Sequence, residues 1–189
     1  ISGTLTMTQG NIVNPSSVIT LGSSSSNPGT LSYTSGTITG SLRRYFDASA
    51  TPGSGYYFPV GNRSNTRGST IDFTSSPGTD QYLTVRYQPG TAMGASPLYT
   101  GLPLTTGDGI LIQNYEDEGF WEINPTADNY SASINSAPYT MTLQMKNLTT
   151  VNDRSTVRII KAAGSNNASD NHVTWTSLNF GANPVIGSS

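Results

Sequence analysis

Five carboxylates lie close together in one short stretch of the sequence, GDGILIQNYEDEGFWEI (107–123). They are Asp108, Glu116, Asp117, Glu118 and Glu122. Calcium takes about six to eight oxygen ligands, and carboxylates are suitable donors for it. The spacing nevertheless matches no EF-hand or other calcium-binding loop. Two interpretations stay open, of which the second is favoured: a calcium site formed by Asp108, Glu116, Asp117 and Glu118, or a solvated turn between two strands.

Catalysis by these acidic residues has little support in the sequence. A glycosidase needs two carboxyl groups facing each other across a cleft in different environments. Glu116 and Glu118 are instead neighbours on a predicted turn. His172 is the single histidine, no G-x-S-x-G motif accompanies it, and the chain has no cysteine. We therefore predict that the protein is not an enzyme and that it uses no cofactor and no transition metal.

Aromatic residues offer a different chemistry, the stacking of sugar rings. The candidates are Trp121, Tyr56 and Tyr57. Large aromatic side chains also dominate the interiors of β-sandwiches, so packing in a core is the competing interpretation. For Trp121 we favour packing in the core over sugar stacking.

Four asparagines match the N-glycosylation pattern N-x-[ST]: Asn62, Asn129, Asn147 and Asn167. Such matches also arise by chance in a chain rich in Asn, Ser and Thr. They become modification sites only where the source organism glycosylates its secreted proteins.

The composition narrows the class of protein. Serine and threonine make up more than a quarter of the chain, charged residues are 11%, and the net charge is −2. Because nucleic-acid binding normally needs a basic face, no nucleic-acid partner is predicted. No segment reaches the length of about 20 apolar residues that a membrane helix needs, so no membrane insertion is predicted. We expect an extracellular or cell-surface location, as an excised piece of a longer secreted protein.

The hydrophobic pattern predicts an all-β fold with negligible helix. In QYLTVRYQP (81–89) and YTMTLQMKNL (139–148), apolar and polar residues alternate, as in strands with one buried face. Further strands are predicted near residues 69–74, 109–115, 119–124, 130–135, 155–162 and 172–180. This number of short strands with turn signals between them favours a jelly-roll-like β-sandwich.

The first part of the chain has a different texture, with short Thr-rich segments separated by Gly and Ser. We predict a β-strand leader over residues 1–50 and the β-sandwich domain over residues 51–189, with a boundary at 47–54. The leader is too poor in bulky apolar residues to bury much by itself. It either forms thin solenoid-like rungs or is an edge segment completed by a neighbouring sheet.

The motifs GSLRRYF (40–46), GYYFPVG (55–61), GFWEINP (119–125) and YTMTLQMKNL (139–148) occur in an order that resembles a recurring module of large secreted surface proteins of Bacteroidota. Such proteins are typically exported by the type IX system. The resemblance implies a Thr-rich leader that enters a β-sandwich through the FPVG strand, with no catalytic residues in the motif. We interpret the aromatics of GYYFPVG as chiefly sealing the joint between leader and sandwich.

These observations predict a non-catalytic structural building block of a bacterial surface protein or filament. Strand addition suits a leader that is β-prone but poor in apolar bulk, and head-to-tail contacts of this kind produce fibres. The expected partners are copies of the chain or neighbouring β-modules. Whether the leader pairs within its own chain or with a neighbour stays open. The alternative is a carbohydrate-binding module for surface polysaccharide.

Overall fold

The computed structural model describes residues 1–89, 103–106, 109–113, 119–125, 139–144, 160–162 and 175–177. All regular elements in these ranges are β-strands, which confirms the all-β prediction. The strands, in chain order, are β1 (Thr4–Met7), β2 (Asn11–Leu21), β3 (Thr30–Tyr33), β4 (Thr37–Phe46), β5 (Tyr56–Phe58), β6 (Ser69–Phe73), β7 (Gln81–Pro89), β8 (Leu104–Thr105), β9 (Leu111–Ile112), β10 (Gly119–Pro125), β11 (Tyr139–Leu143), β12 (Ile160–Ala162) and β13 (Trp175–Ser177). The described ranges contain no helix long and apolar enough to cross a membrane.

The chain divides into two compact units. The first contains residues 1–89 and 119–147, and the second contains residues 90–118 and 148–189. In the second unit β8 pairs antiparallel with β9, and β12 pairs antiparallel with β13. Thr106 closes the β8–β9 turn, because its hydroxyl donates to the Ile110 carbonyl at 3.0 Å and accepts from the Ile110 amide at 3.1 Å.

Two sheets form the sandwich of the first unit. One has the order β10-β7-β4-β2, and the other has the order β11-β6-β5. Phe46 of β4 joins them, because its ring lies 5.2 Å from that of Phe73 and 6.4 Å from that of Phe58, both on the second sheet. Phe46, Phe58 and Phe73 are all buried. A jelly-roll connectivity stays a prediction.

The alternating segments of the sequence form strands where the pattern predicted them. Leu83, Val85 and Tyr87 of β7 are buried and alternate with half-buried neighbours. Pro59, which cannot donate a backbone hydrogen bond, directly follows β5, the edge strand of its sheet. The strand predicted at 130–135 lies outside the described residues.

The start of the chain forms two stacked parallel layers, which we call rung one (β1 and β2, residues 3–21) and rung two (β3 and β4, residues 29–46). Thr4 pairs with Thr30 and Asn11 pairs with Thr37, so equivalent positions in the two rungs are 26 residues apart. In-register parallel pairing of this kind is the arrangement found in β-solenoids. The alternative of solenoid-like rungs is therefore correct for residues 3–46.

The register between the rungs changes once. Asn14 pairs with Gly40, but the next pair is Val18 with Ser41, so residues 15–17 bulge out of β2. Pro15 lies in this bulge, where its missing N–H costs no ladder hydrogen bond. Beyond the bulge β2 pairs with β4 as far as Leu21.

The grouping of residues 1–50 differs from the predicted division into a leader and a separate sandwich of residues 51–189. Residues 41–46 of β4 pair antiparallel with β7 while β4 also pairs in parallel with β2. β2 and β4 therefore share one sheet with β7 and β10, whereas β1 and β3 form a separate two-stranded sheet. Residues of both rungs pack in the same core as the later strands.

The two rungs predict a difference between Gly36→Ala and Gly10→Ala. Both glycines have positive φ, +107° and +84°, so alanine at either position brings backbone strain of about 1–2 kcal/mol. A Cβ on Gly36 would also overlap the Gly10 carbonyl oxygen, whereas a Cβ on Gly10 has nothing within 4 Å among the described residues. We expect urea unfolding to show a loss of about 3 kcal/mol or more for Gly36→Ala and only the strain cost for Gly10→Ala. Equal losses would contradict the stacked arrangement.

Candidate functional site

The outer edge of rung one is the side of β1 and β2 that faces away from rung two. Among the described residues, β1 pairs only with β3 and β2 pairs only with β4, so each uses one of its two edges. An edge strand presents unpaired N–H and C=O groups and is a template for a further strand. The chemistry that this edge offers is backbone hydrogen bonding.

Rung two shows what an occupied position looks like. The Ile38 amide donates to the Pro59 carbonyl at 2.7 Å, and the Gly61 amide donates to the Ile38 carbonyl at 3.1 Å. Ile38 thus lies between Ile12 on one side and Val60 on the other, with all three strands parallel at this point. Ile38 and Val60 are fully buried, whereas Ile12 is only half-buried. The column of apolar residues ends at the outer edge of rung one.

The outer edge also lacks the usual protection against strand addition. No Asp, Glu, Lys or Arg occurs in residues 1–42, and the first charged side chain is Arg43. Val13 and Val18 of β2 are 46% and 42% exposed. Natural edge strands commonly carry lysine or other charges that prevent pairing with another chain. In rung one the bulge with Pro15 interrupts the edge. Ile1 also occupies the end of β2, because its amino group donates to the Thr20 carbonyl at 2.8 Å and its carbonyl accepts from the Gly22 amide at 2.9 Å.

The stacking follows an internal repeat that the sequence analysis missed. GTLTMTQGNI (3–12) and GTLSYTSGTI (29–38) are identical at six of ten positions, at a spacing of 26 residues. A comparison of the sequence with itself would have found this signal. Short Thr-rich segments resemble one another throughout the chain, and this similarity hid the longer period.

The aromatics of GYYFPVG contact the end of the leader, as predicted. The Tyr56 ring lies 4.8 Å from Phe46, and the Tyr57 ring lies 4.9 Å from Tyr33. The Tyr57 hydroxyl donates to Gln144 Oε1 at 2.9 Å. Both tyrosines are half-buried, and these contacts give each a packing role in the joint between the rungs and the second sheet.

Arg44 lies in the same joint. Its guanidinium carbon is 5.3 Å from the Tyr56 ring centroid and 5.7 Å from that of Phe58, and Nη1 donates to the Tyr57 carbonyl at 3.0 Å. Burial lowers the pKa of Arg44 to about 10, although the charge of Tyr56 opposes this shift. A cation between aromatic faces with a backbone acceptor is a stabilising arrangement.

The position of the Trp121 side chain on β10 is set by a hydrogen bond and a ring contact. Its Nε1 donates to the Arg67 carbonyl at 2.7 Å, and its ring lies edge-on to Tyr87 at 5.2 Å. Trp121 is half-buried and packs against the core. The favoured interpretation of this residue as a packing residue agrees with these contacts.

Asn62 is the one sequon position within the described residues. Its Oδ1 accepts from the Ser64 amide at 2.9 Å and from the Asn65 amide at 2.6 Å, so the side chain organises the turn after Gly61. The Arg63 carbonyl in this turn accepts from Asn11 Nδ2 at 2.8 Å, which ties the turn to rung one.

Several predicted positions lie outside the described residues. They are the calcium candidates Asp108, Glu116, Asp117 and Glu118, the sequon residues Asn129, Asn147 and Asn167, and His172. Of the acidic cluster, the described ranges include Glu122, whose Oε2 accepts from Gln88 Nε2 at 3.3 Å. Within those ranges no three His, Cys, Asp or Glu residues come together as metal ligands.

Comparisons with family models, with curated proteins and with solved structures gave no match.

The Asn62 turn gives a testable prediction. Asn62→Ala removes the acceptor of two amide hydrogen bonds, so we expect the free energy of unfolding to fall by about 1–2 kcal/mol in urea titration. Asn62→Asp keeps the acceptor oxygen and serves as the matched control. A loss for Asn62→Asp as large as that for Asn62→Ala would show that the two hydrogen bonds do not stabilise the fold.

A second prediction concerns alkaline pH. The pKa of Tyr45 is raised to about 12, first by burial and then by the nearby Asp80 carboxylate. Burial also raises the pKa values of Tyr57 and Tyr139. Because an unfolded tyrosine has a pKa near 10, the unfolded chain loses the phenolic proton first. The stabilisation is present below pH 10 and is lost as the pH rises towards 12.

The measurement is the free energy of unfolding from about pH 9 to pH 12, for the parent chain and for Tyr45→Phe. The lowered pKa of Arg44 acts in the opposite direction over this window. It acts equally in both proteins, so their difference isolates Tyr45. We expect a shallower decline for Tyr45→Phe, and parallel curves would contradict the assignment.

Proposed function

We propose that this chain is a non-catalytic structural module of a bacterial surface protein or filament, and that it joins its neighbours by β-strand pairing at the outer edge of rung one. The observation that supports this most is the edge itself. It is a parallel edge, it is uncharged, and it carries exposed valines on β2, next to β4, which is paired on both of its edges. Strand addition obtains its affinity from main-chain hydrogen bonds, which such an edge supplies.

Within rung two, β4 has both of its edges engaged within the chain, whereas β3 pairs only with β1 among the described residues. β4 pairs with β2 on one side and with β7 and residues 59–61 on the other. This pairing within the chain supports a leader that is not donated as a whole to a neighbour. The proposal instead assigns neighbour contact to rung one, whose second edge has no strand partner among the described residues.

An extracellular location is part of the proposal. It is supported by the hydroxyl-rich, weakly charged composition without cysteine and by the order of the four motifs from residue 40 to residue 148. A surface rich in Ser and Thr carries little net charge, and low net charge favours association over mutual repulsion.

The carbohydrate-binding alternative has less support. A stacking platform needs an aromatic ring with one open face. Tyr56 contacts Phe46, Phe73 and Arg44, and Trp121 contacts Tyr87. These rings have partners that account for their positions.

The test is the association of the chain in solution, compared with that of Val13→Lys. Lysine at this exposed position of β2 places a charge on the edge, so we expect at least about tenfold weaker association by light scattering and sedimentation, with unchanged circular dichroism. Ser75→Lys adds the same charge at an exposed loop position after β6 and is the matched control. It should associate as the parent does.

A parent chain that stays monomeric at high concentration would overturn the proposal. Equal association of Val13→Lys and the parent would place the contact elsewhere on the molecule.

A further inference from the structure

The stacking of rung one on rung two is an interface whose geometry can continue outward. Along β3 and the first part of β4, each rung-two residue has a rung-one residue beside it at the spacing of 26, for example Leu31 beside Leu5 and Ile38 beside Ile12. Beyond the bulge the spacing is 23, as in the pair of Val18 and Ser41. The residues that make this interface are repeated in rung one itself, since GTLTMTQGNI and GTLSYTSGTI share Gly, Thr, Leu, Thr, Gly and Ile at matching positions. Rung one therefore presents outward nearly the same surface that rung two presents to rung one.

A pair of glycines makes the comparison specific. Gly36 of rung two must be glycine, because a Cβ there would overlap the Gly10 carbonyl oxygen of rung one. Gly10 occupies the matching position in rung one, and its backbone is also left-handed, at φ +84°. The space that its missing Cβ leaves is open among the described residues. At Gly36 the equivalent space is filled by the Gly10 carbonyl oxygen of rung one.

Burial gives the same result independently. Ile38 and Leu42 of rung two are fully buried, but the residues paired with them, Ile12 and Ile19 of rung one, are only half-buried. The difference arises because β4 has strand neighbours on both sides, with β2 on one and Val60 and β7 on the other. Partly exposed isoleucines at the end of an apolar column gain from one more layer of the same kind.

From these observations we propose that the outer edge of rung one docks a further rung of the same 26-residue pattern, contributed by a neighbouring module and pairing in parallel and in register. This inference rests on the proposed function and names the partner of its edge. The partner is an uncharged strand pair with the order G-T-L-x-x-T-x-G-x-I. The carbonyl group of the second glycine in the docked rung lies over Gly10, as the Gly10 carbonyl lies over Gly36. The isoleucine of the docked rung packs beside Ile12 and extends the column of Ile12, Ile38 and Val60.

A second copy of this chain that docked by its own rung one is the main competing occupant. A two-fold axis would place β2 antiparallel to its counterpart. Identical positions would then no longer stack as continuous columns, and the space at Gly10 would have no equivalent carbonyl above it. The glycine and the columns therefore favour the parallel rung.

The experiment extends the full chain with a second copy of residues 1–26 placed directly before Ile1, so that the new rung enters at the spacing of 26. The control extension has the same composition in shuffled order and adds the same length. NMR amide exchange is measured for β1 and for residues 11–14 of β2 in the original rung. We expect exchange to slow by at least about tenfold with the in-phase extension and to stay unchanged with the shuffled one.

The substitution Gly10→Ala in the original rung tests the position of the docked carbonyl. Its effect on the urea midpoint depends on that contact and not on how much the extension stabilises the chain as a whole. In the parent chain this substitution brings only backbone strain. In the extended chain we expect it to shift the urea midpoint as much as Gly36→Ala does, because the docked carbonyl now occupies the space above Gly10.

The outcomes separate this inference from the proposed function. If amide exchange slows equally with both extensions, or slows with neither, the proposal of a parallel docked rung is wrong. If Val13→Lys still abolishes association of the parent in that case, strand pairing at the edge stands and the antiparallel copy is its partner. An unchanged effect of Gly10→Ala in a protected extended chain also overturns the in-register arrangement.

Discussion

The double pairing of β4 is the constraint on which the rest of the first unit depends. One edge of this strand pairs in parallel with β2, and the other pairs antiparallel with β7 and contacts residues 59–61. Parallel and antiparallel ladders place their hydrogen bonds differently. Residues 41–44 of β4 carry both, with β2 on one edge and β7 on the other, and it is the second edge that changes partner, from Val60 to β7, near Gly40 and Ser41. The solenoid-like start and the sandwich are therefore continuous through a single strand.

The aromatic joint makes this continuity rigid. Phe46 at the end of β4 contacts Tyr56, Phe58 and Phe73 on the facing sheet, and Arg44 lies over the rings of Tyr56 and Phe58. Aromatic pairs in edge-on geometry contribute beyond their buried area.

The same arrangement encloses β4 on both sides, whereas β1 and β2 of rung one each have one edge without a strand partner among the described residues. The chain has no charge before Arg43, and Val13 and Val18 of β2 are 46% and 42% exposed. Globular proteins usually protect such edges. An unprotected edge at the end of a repeating stack is typical of architectures whose stability grows by adding equivalent layers.

The sequence by itself determined the all-β class, the alternating strands β7 and β11, and the position of Pro59 beside an edge strand. These features depend on local rules, namely the two-residue period of a strand and the missing N–H of proline. The sequence also contained the 26-residue repeat, although only the stack made it apparent. The tertiary structure alone decided that the repeat forms parallel rungs, that β4 joins them to the sandwich, and that Trp121 donates to the Arg67 carbonyl. These depend on pairing between residues far apart in the chain, and the alternation of side chains in a strand does not specify which strand it will pair with.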